Sequence, residues 1–168
     1  MTETDSSGAA ARRQIAVVGP GEANEREVQL ACGVGRLLAL GGAVVVTGGL
    51  GGVMQGACEG AALADGTSIG LLPGTDRLAA NPHVSIAVAT GLGQGRNLLV
   101  VQTADAVVAI GRSPGTLSEI ALAGRLGKPV VLLASYAEDL VPGALTAGSP
   151  KEAADLAFRL LGSAIASA

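Results

Sequence analysis

The chain has 168 residues, a formal charge of −3, and 49% apolar against 15% charged side chains; that length suits one domain with a proper core and is short for two ordinary ones. A pI near 5.1 and the lack of any basic run argue against nucleic acid as a ligand, and a single Tyr and a single Phe argue against a base-stacking platform. A mean hydropathy of +0.50 is rich for a chain of this size and implies that a further subunit covers some apolar surface, so a homodimer or higher homo-oligomer is expected.

The first segment, MTETDSSGAAARR (1–13), is polar where a signal peptide needs an apolar core, and no run approaches membrane-spanning length. A loose tail over 1–13, a domain over 14–168, a cytoplasmic location and no membrane partner are expected. Two lone cysteines, Cys32 and Cys58, make neither a disulfide framework nor a metal set, so no metal site is expected.

Ile15 to Gly19 reads as a strand ending in the loop Gly19 to Asn24, GPGEAN, and Glu25 to Leu40 has helical periodicity with Arg26, Gln29 and Arg36 on its polar side. Strand, glycine turn and helix resemble the opening of a dinucleotide fingerprint. The third glycine position is Asn24, however, and the second strand, Ala43 to Thr47, ends without the acidic residue that holds a ribose. Thr47 to Gly66 then supplies a second glycine loop, with Gly48, Gly49, Gly51 and Gly52, whose backbone can approach a ligand closely. The helix after Met54 is built of Gly56, Ala57, Cys58, Gly60, Ala61, Ala62 and Ala64. Its small residues suit close packing within the domain or a dimer seam.

Thr67 to Leu72 is a third strand, Pro73 to Pro82 a turn-rich connection and Val84 to Val88 a short strand, after which the strand order is expected to reverse. The only histidine, His83, stands at the start of that short strand, where a surface or packing role is expected. The chain is organised around Gly91 to Glu119, in which polar chemistry brackets an apolar middle. Asp105 to Ile110 is apolar on both faces, as a central parallel strand is. Ligands collect at the carboxyl ends of such strands, and Gly111 to Thr116 leads there into a new helix whose backbone N–H groups favour anions.

Arg96 falls in the first turn of the helix carrying Leu98 to Val101, where a positive charge opposes the helix dipole by about 0.3–1 kcal/mol, so a negative group should compensate it. Glu119 follows Thr116 at capping-box spacing, which makes it either a helix cap or a functional carboxylate. The stretch Gly111-Arg112-Ser113-Pro114-Gly115 has the form of a nucleophile elbow. No histidine follows it in the chain, so a serine triad of that architecture fails. Helix through Ala121 and Ala123 to Leu126 closes on Gly127 and Lys128; Val130 to Ala134 is a buried strand, and Lys151 to Leu161 an amphipathic closing helix.

TGGLGGVM at Thr47 to Met54, GRN at Gly95 to Asn97, ADAVVAIG at Ala104 to Gly111 and PGTLSE at Pro114 to Glu119 together resemble the Rossmann-like LOG superfamily, phosphoribohydrolases once called lysine decarboxylases. The branch most similar is that of the bacterial proteins resembling molybdenum cofactor carriers. The resemblance runs from Ile15 to Leu161 and implies an α/β fold: a three-layer α/β/α Rossmann-like domain with a mostly parallel central sheet. It implies a phosphorylated small molecule, a nucleotide or a molybdopterin-type ligand, held between two glycine loops, with no required cofactor. The ligand-binding candidates are Gly19, Gly21, Gly48, Gly49, Gly52, Met54, Arg96, Asn97, Gly115, Thr116 and Glu119.

In the phosphoribohydrolases an arginine and a glutamate, matching Arg96 and Glu119, act on the N-glycosidic bond of a nucleoside 5′-monophosphate. Those enzymes carry Pro-Gly-Gly-x-Gly-Thr and an Arg-Lys pair. This chain has Arg112 and Ser113 where two glycines are expected and Asn97 after the arginine, which moves the expectation from the hydrolase, kept as the alternative, toward a carrier-like binding protein.

Overall fold

Strand β1 (Gln14–Val18) is apolar on both faces and occupies the middle of the sheet in the computed structural model, which describes residues 11–162. The chain continues through α1 (Glu25–Leu40), β2 (Val44–Thr47), α2 (Val53–Leu63), β3 (Ser68–Leu72) and β4 (Ile86–Ala89). It then passes through α3 (Arg96–Thr103), β5 (Ala106–Ile110), α4 (Pro114–Arg125), β6 (Val130–Leu133), β7 (Leu145–Ala147) and α5 (Pro150–Leu160). Strand order is β4-β3-β2-β1-β5-β6-β7, and every pairing is parallel. The order reverses after β4, as expected: α3 carries the chain back across the sheet to β5, which pairs with the far side of β1. A crevice at the carboxyl ends of β1 and β5 follows from that reversal.

Alternation along the strands divides the core in two. Ile15, Val17, Val45, Val108 and Ile110 pack under α1, α2 and α5, whereas Ala16, Val18, Val46, Val107 and Ala109 pack under α3 and α4. Nearly all are fully buried, which is why these strands read as continuous apolar runs.

Most of the small residues of α2 are buried, with Gly56, Ala57 and Gly60 against α1 of the same chain, while Ala62 is exposed. A Cβ added at Gly56 would lie 2.6 Å from the Val28 carbonyl oxygen, and one at Gly60 would strike the Cys32 carbonyl. Gly35 makes the reciprocal approach to Ala57, so α1 and α2 cross at backbone contact. Ala61 is fully buried.

Capping also differs from expectation. The capping box belongs to α1, where the Asn24 side chain accepts from Glu27 N at 2.9 Å and the Glu27 carboxylate accepts from Asn24 N at 3.0 Å. Asn24 therefore takes the third glycine position because it starts the helix. Strand β7 went unread because its three residues are largely exposed and have no apolar periodicity. Of the expected tail over 1–13, residues 1–10 lie outside the described residues. Arg12 donates to the Gly42 carbonyl and Thr67 Oγ1, and Arg13 to the Leu161 carbonyl.

The α1–α2 contact generates a direct test. Gly60→Val is expected to cost about 2–3 kcal/mol by overpacking, read as a lower thermal midpoint, while Gly74→Ala, with open space around the added Cβ, should stay within about 0.5 kcal/mol.

Candidate functional site

The glycine loop after β1 and the one after β2 are tied together before any ligand is considered. Val53 N donates to the Pro20 carbonyl at 3.0 Å, and Gly52, at φ +62°, lies so close to Pro20 and Gly21 that any Cβ would collide with their carbonyls. Gly49, at φ +76°, donates to Thr47 Oγ1 at 3.0 Å, and Asn81 donates through Nδ2 to the Leu50 carbonyl at 2.9 Å. These two glycines shape the loop rather than the cavity wall.

The cavity between the loops measures about 190 Å³. Gly19, Gly21, Gly48 and Met54 line one side; Arg96 and Asn97 come from the first turn of α3, and Gly115, Thr116 and Glu119 from α4. The candidates thus converge, with Gly49 and Gly52 outside the lining. Val18, Leu50, Gln94 and Ser113 also line it and were missed as ligand candidates. Ser113 carried a signal as the residue before Pro114, a natural helix start.

Ser113 is the N-cap of α4: its hydroxyl accepts from Thr116 N at 3.1 Å and lies 2.8 Å from Thr116 Oγ1. Thr116 is consequently the third helical residue, and Glu119 falls a turn too late to close a capping box. This corrects the cap alternative for Glu119. Its carboxylate instead points inward, 3.8 Å from Arg96 Nη1, with Glu119 6% and Arg96 5% exposed.

Arg96 lies in the first turn of α3 as expected, and the compensating negative group is Glu119. Nη1 also donates to Asn97 Oδ1 at 2.9 Å. The guanidinium rests flat on Gly48, where an added Cβ would come within 2.6 Å of Cζ and Nη2. Nε is buried and has no hydrogen-bond partner among the described residues, a condition that costs on the order of 1–3 kcal/mol.

Burial pushes the Glu119 carboxyl up to about 7, against the opposing pull of Arg96. Burial likewise lowers the Arg96 pKa, which Glu119 partly restores. The folded state therefore holds the Glu119 proton more tightly than the unfolded chain does, so this group favours folding most at low pH. That advantage is lost as pH rises from about 4.5 to about 7.

Arg112 turns away from the cavity. It is exposed and donates to the Tyr136 carbonyl at 3.4 Å, and the positive φ of this loop is taken by Gly111 at +68°. Ser113 has extended backbone at φ −148°. Neither departure from glycine forces a left-handed residue. His83 also lies outside the cavity lining; its carbonyl accepts from Ser68 Oγ at 3.3 Å.

Among the described residues no helix is long and apolar enough to cross a membrane, and no cluster of His, Cys, Asp and Glu could hold a metal ion.

The fold is shared by solved structures. A molybdenum cofactor binding protein of Rippkaea orientalis is 37% identical, with a TM-score of 0.87, covering 91% of this chain and 99% of its own. The molybdenum cofactor carrier protein of Chlamydomonas reinhardtii is 34% identical with a TM-score of 0.84, covering 90% of this chain and 99% of its own. An uncharacterized protein of Archaeoglobus fulgidus is 41% identical over 120 residues, 71% of this chain and 79% of that one. The model of the SLOG cluster4 family matches residues 12–156. Since that model spans most of the chain, which folds as an all-parallel Rossmann-like sheet, the chain belongs to the SLOG cluster4 family.

Proposed function

We propose that the protein is a cytoplasmic binder of a phosphorylated small molecule, a nucleotide or a pterin of the molybdenum cofactor type, acting as a carrier. The observation that carries this reading is Arg96: a buried guanidinium with an unpartnered Nε lining a cavity at the junction of two glycine loops. A phosphate oxygen is the natural acceptor there, reinforced by the Gly115 N–H in the first turn of α4, since Pro114 has none and the Thr116 N–H is bound by Ser113. The cavity, at about 190 Å³, is below the roughly 300–1,000 Å³ of ordinary ligand pockets. It therefore takes the phosphate-bearing end of such a ligand. The relatives' named ligand, molybdenum cofactor, fits this reading as cargo, since its pterin carries a phosphate. Self-association belongs to the same reading, supported by the high apolar content.

The alternative, a nucleoside-monophosphate phosphoribohydrolase, is favoured by one observation: a Glu119 carboxyl near 7 suits proton transfer at neutral pH. Against it stand Asn97 after the arginine and Arg112-Ser113 where the loop of those enzymes has two glycines. Incubation with AMP separates the readings. Binding without release of adenine is expected; adenine release that Glu119→Gln abolishes would instead establish the hydrolase.

Arg96→Ala is expected to weaken AMP and sulfate binding at least tenfold, through loss of about 1.5–3 kcal/mol of charged hydrogen bonding. Arg112→Ala should leave both affinities unchanged in calorimetry. Sulfate keeps its charge across neutral pH, so its affinity isolates Glu119. Below about 7 the neutral carboxyl leaves the Arg96 charge uncompensated; above it the carboxylate cancels that charge and repels the anion. Sulfate affinity should fall as pH rises through that value, and Glu119→Gln should flatten the profile. A profile identical in the two proteins would remove Glu119 from the anion site.

A further inference from the structure

We propose that Asn97 is a positioning residue: it holds the Arg96 guanidinium off Glu119 and so keeps that charge available to an entering anion. This rests on the anion-binding reading above and gives control of the site to a neutral neighbour.

Two side chains compete for one nitrogen. Arg96 Nη1 donates to Asn97 Oδ1 at 2.9 Å, whereas Glu119 Oε1 stands 3.8 Å from the same nitrogen, beyond hydrogen-bond length. A guanidinium has only donors to offer, so the oxygen end of the Asn97 amide is the end that faces it. A hydrogen bond from a guanidinium to a carboxylate is stronger than one to a neutral oxygen. Left to itself, Nη1 would therefore close on Glu119, and its pairing with the amide reflects a geometry that Asn97 imposes.

That geometry is particular to this helix start. Side chains one residue apart on a helix ordinarily diverge. Arg96 nevertheless lies against Gly48, whose missing side chain leaves room for the guanidinium, while its Nη1 bonds to the adjacent Asn97. Asn97 is 7% exposed, and it does not cap α3, whose N-cap is Gly95 with no side-chain cap.

Held apart, the pair stays poised. A carboxylate bonded directly to the guanidinium would be strongly favoured as the ion; in the open pair, burial of Glu119 outweighs the pull of Arg96. Arg96 and Glu119 are the only charged side chains that line the cavity. Of the elements packed against α4, α3 carries Arg96 alone and β5 and β6 carry no charge, while Glu138 and Asp139, on the turn beside α4, are exposed.

A carbon-13 titration of the Glu119 carboxyl in the ligand-free protein tests this, with wild type compared with Asn97→Leu and Asn97→Asp. Leucine keeps the bulk of asparagine and removes the acceptor, so Nη1 closes on Glu119. The carboxyl midpoint is then expected to fall by at least about one pH unit from near 7. Aspartate keeps the acceptor and adds a like charge, so the midpoint is expected to rise. A side chain that merely filled space would move both variants alike, toward the ordinary carboxylate range as the site loosened. A fall in both variants, or no change in Asn97→Leu, overturns the assigned role. If Asn97→Leu fails to fold, Asn97→Ala replaces it with the same expectation and the same refutation. Sulfate binding in the same samples reads the anion site separately. In Asn97→Leu the loss of affinity with rising pH should move down with the carboxyl midpoint, and Asn97→Asp should bind at least about tenfold more weakly than wild type. If the carboxyl moves as expected and sulfate binds none of the three proteins, the anion-binding reading falls and Asn97 remains the residue that holds the pair open.

Discussion

The arrangement depends on one buried charge, Arg96, held at the start of α3 where the helix dipole opposes it. Two features make that position tenable. Glu119 approaches from α4 at 3.8 Å, and the absence of a side chain at Gly48 lets the guanidinium lie against the backbone. Neither supplies Nε with an acceptor. The site is thus built around an electrostatic demand that the protein meets only in part, and in the proposed function an anion with acceptor oxygens meets the rest.

The fold creates this demand by its topology. The return from β4 to β5 places the first turn of α3 and the start of α4 at the carboxyl ends of adjacent strands, so two helix beginnings and two glycine loops face one cavity. Rigidity comes from contacts that do not line it: Gly52 locked against Pro20 and Gly21, Asn81 holding the Leu50 carbonyl, and Ser113 capping α4. The burial that orders the pair also weakens it as an ion pair, since desolvation holds the Glu119 carboxyl near 7. Proton occupancy on Glu119 therefore sets how much of the Arg96 charge remains for a ligand.

Much of this was legible in the chain. Continuous apolar runs such as Ala106–Ile110 identified buried parallel strands, and the 3.6-residue pattern placed α1 at Glu25–Leu40. Most of the glycines and polar residues singled out in the loops do line one cavity. What failed was chemistry that depends on where a helix begins. Thr116 and Glu119 have capping-box spacing, yet the Ser113 hydroxyl and Pro114 start the helix earlier and turn Glu119 inward; the box belongs to Asn24 and Glu27. Small residues on α2 signalled a close approach without naming the partner, which is α1 of the same chain. Gly49 and Gly52 were grouped with the cavity glycines because composition does not separate a loop-locking glycine from one that lines a wall. Arg112 likewise gave no sign of its direction, which the Tyr136 carbonyl decides.

The most direct test of the central claim is an ¹H–¹⁵N titration of arginine Nε–H groups with AMP and with sulfate. The account requires that the Arg96 Nε–H resonance shift to saturation and gain protection from exchange, while that of Arg112 stays in place. Saturable shifts at Arg112 with Arg96 unmoved would contradict it.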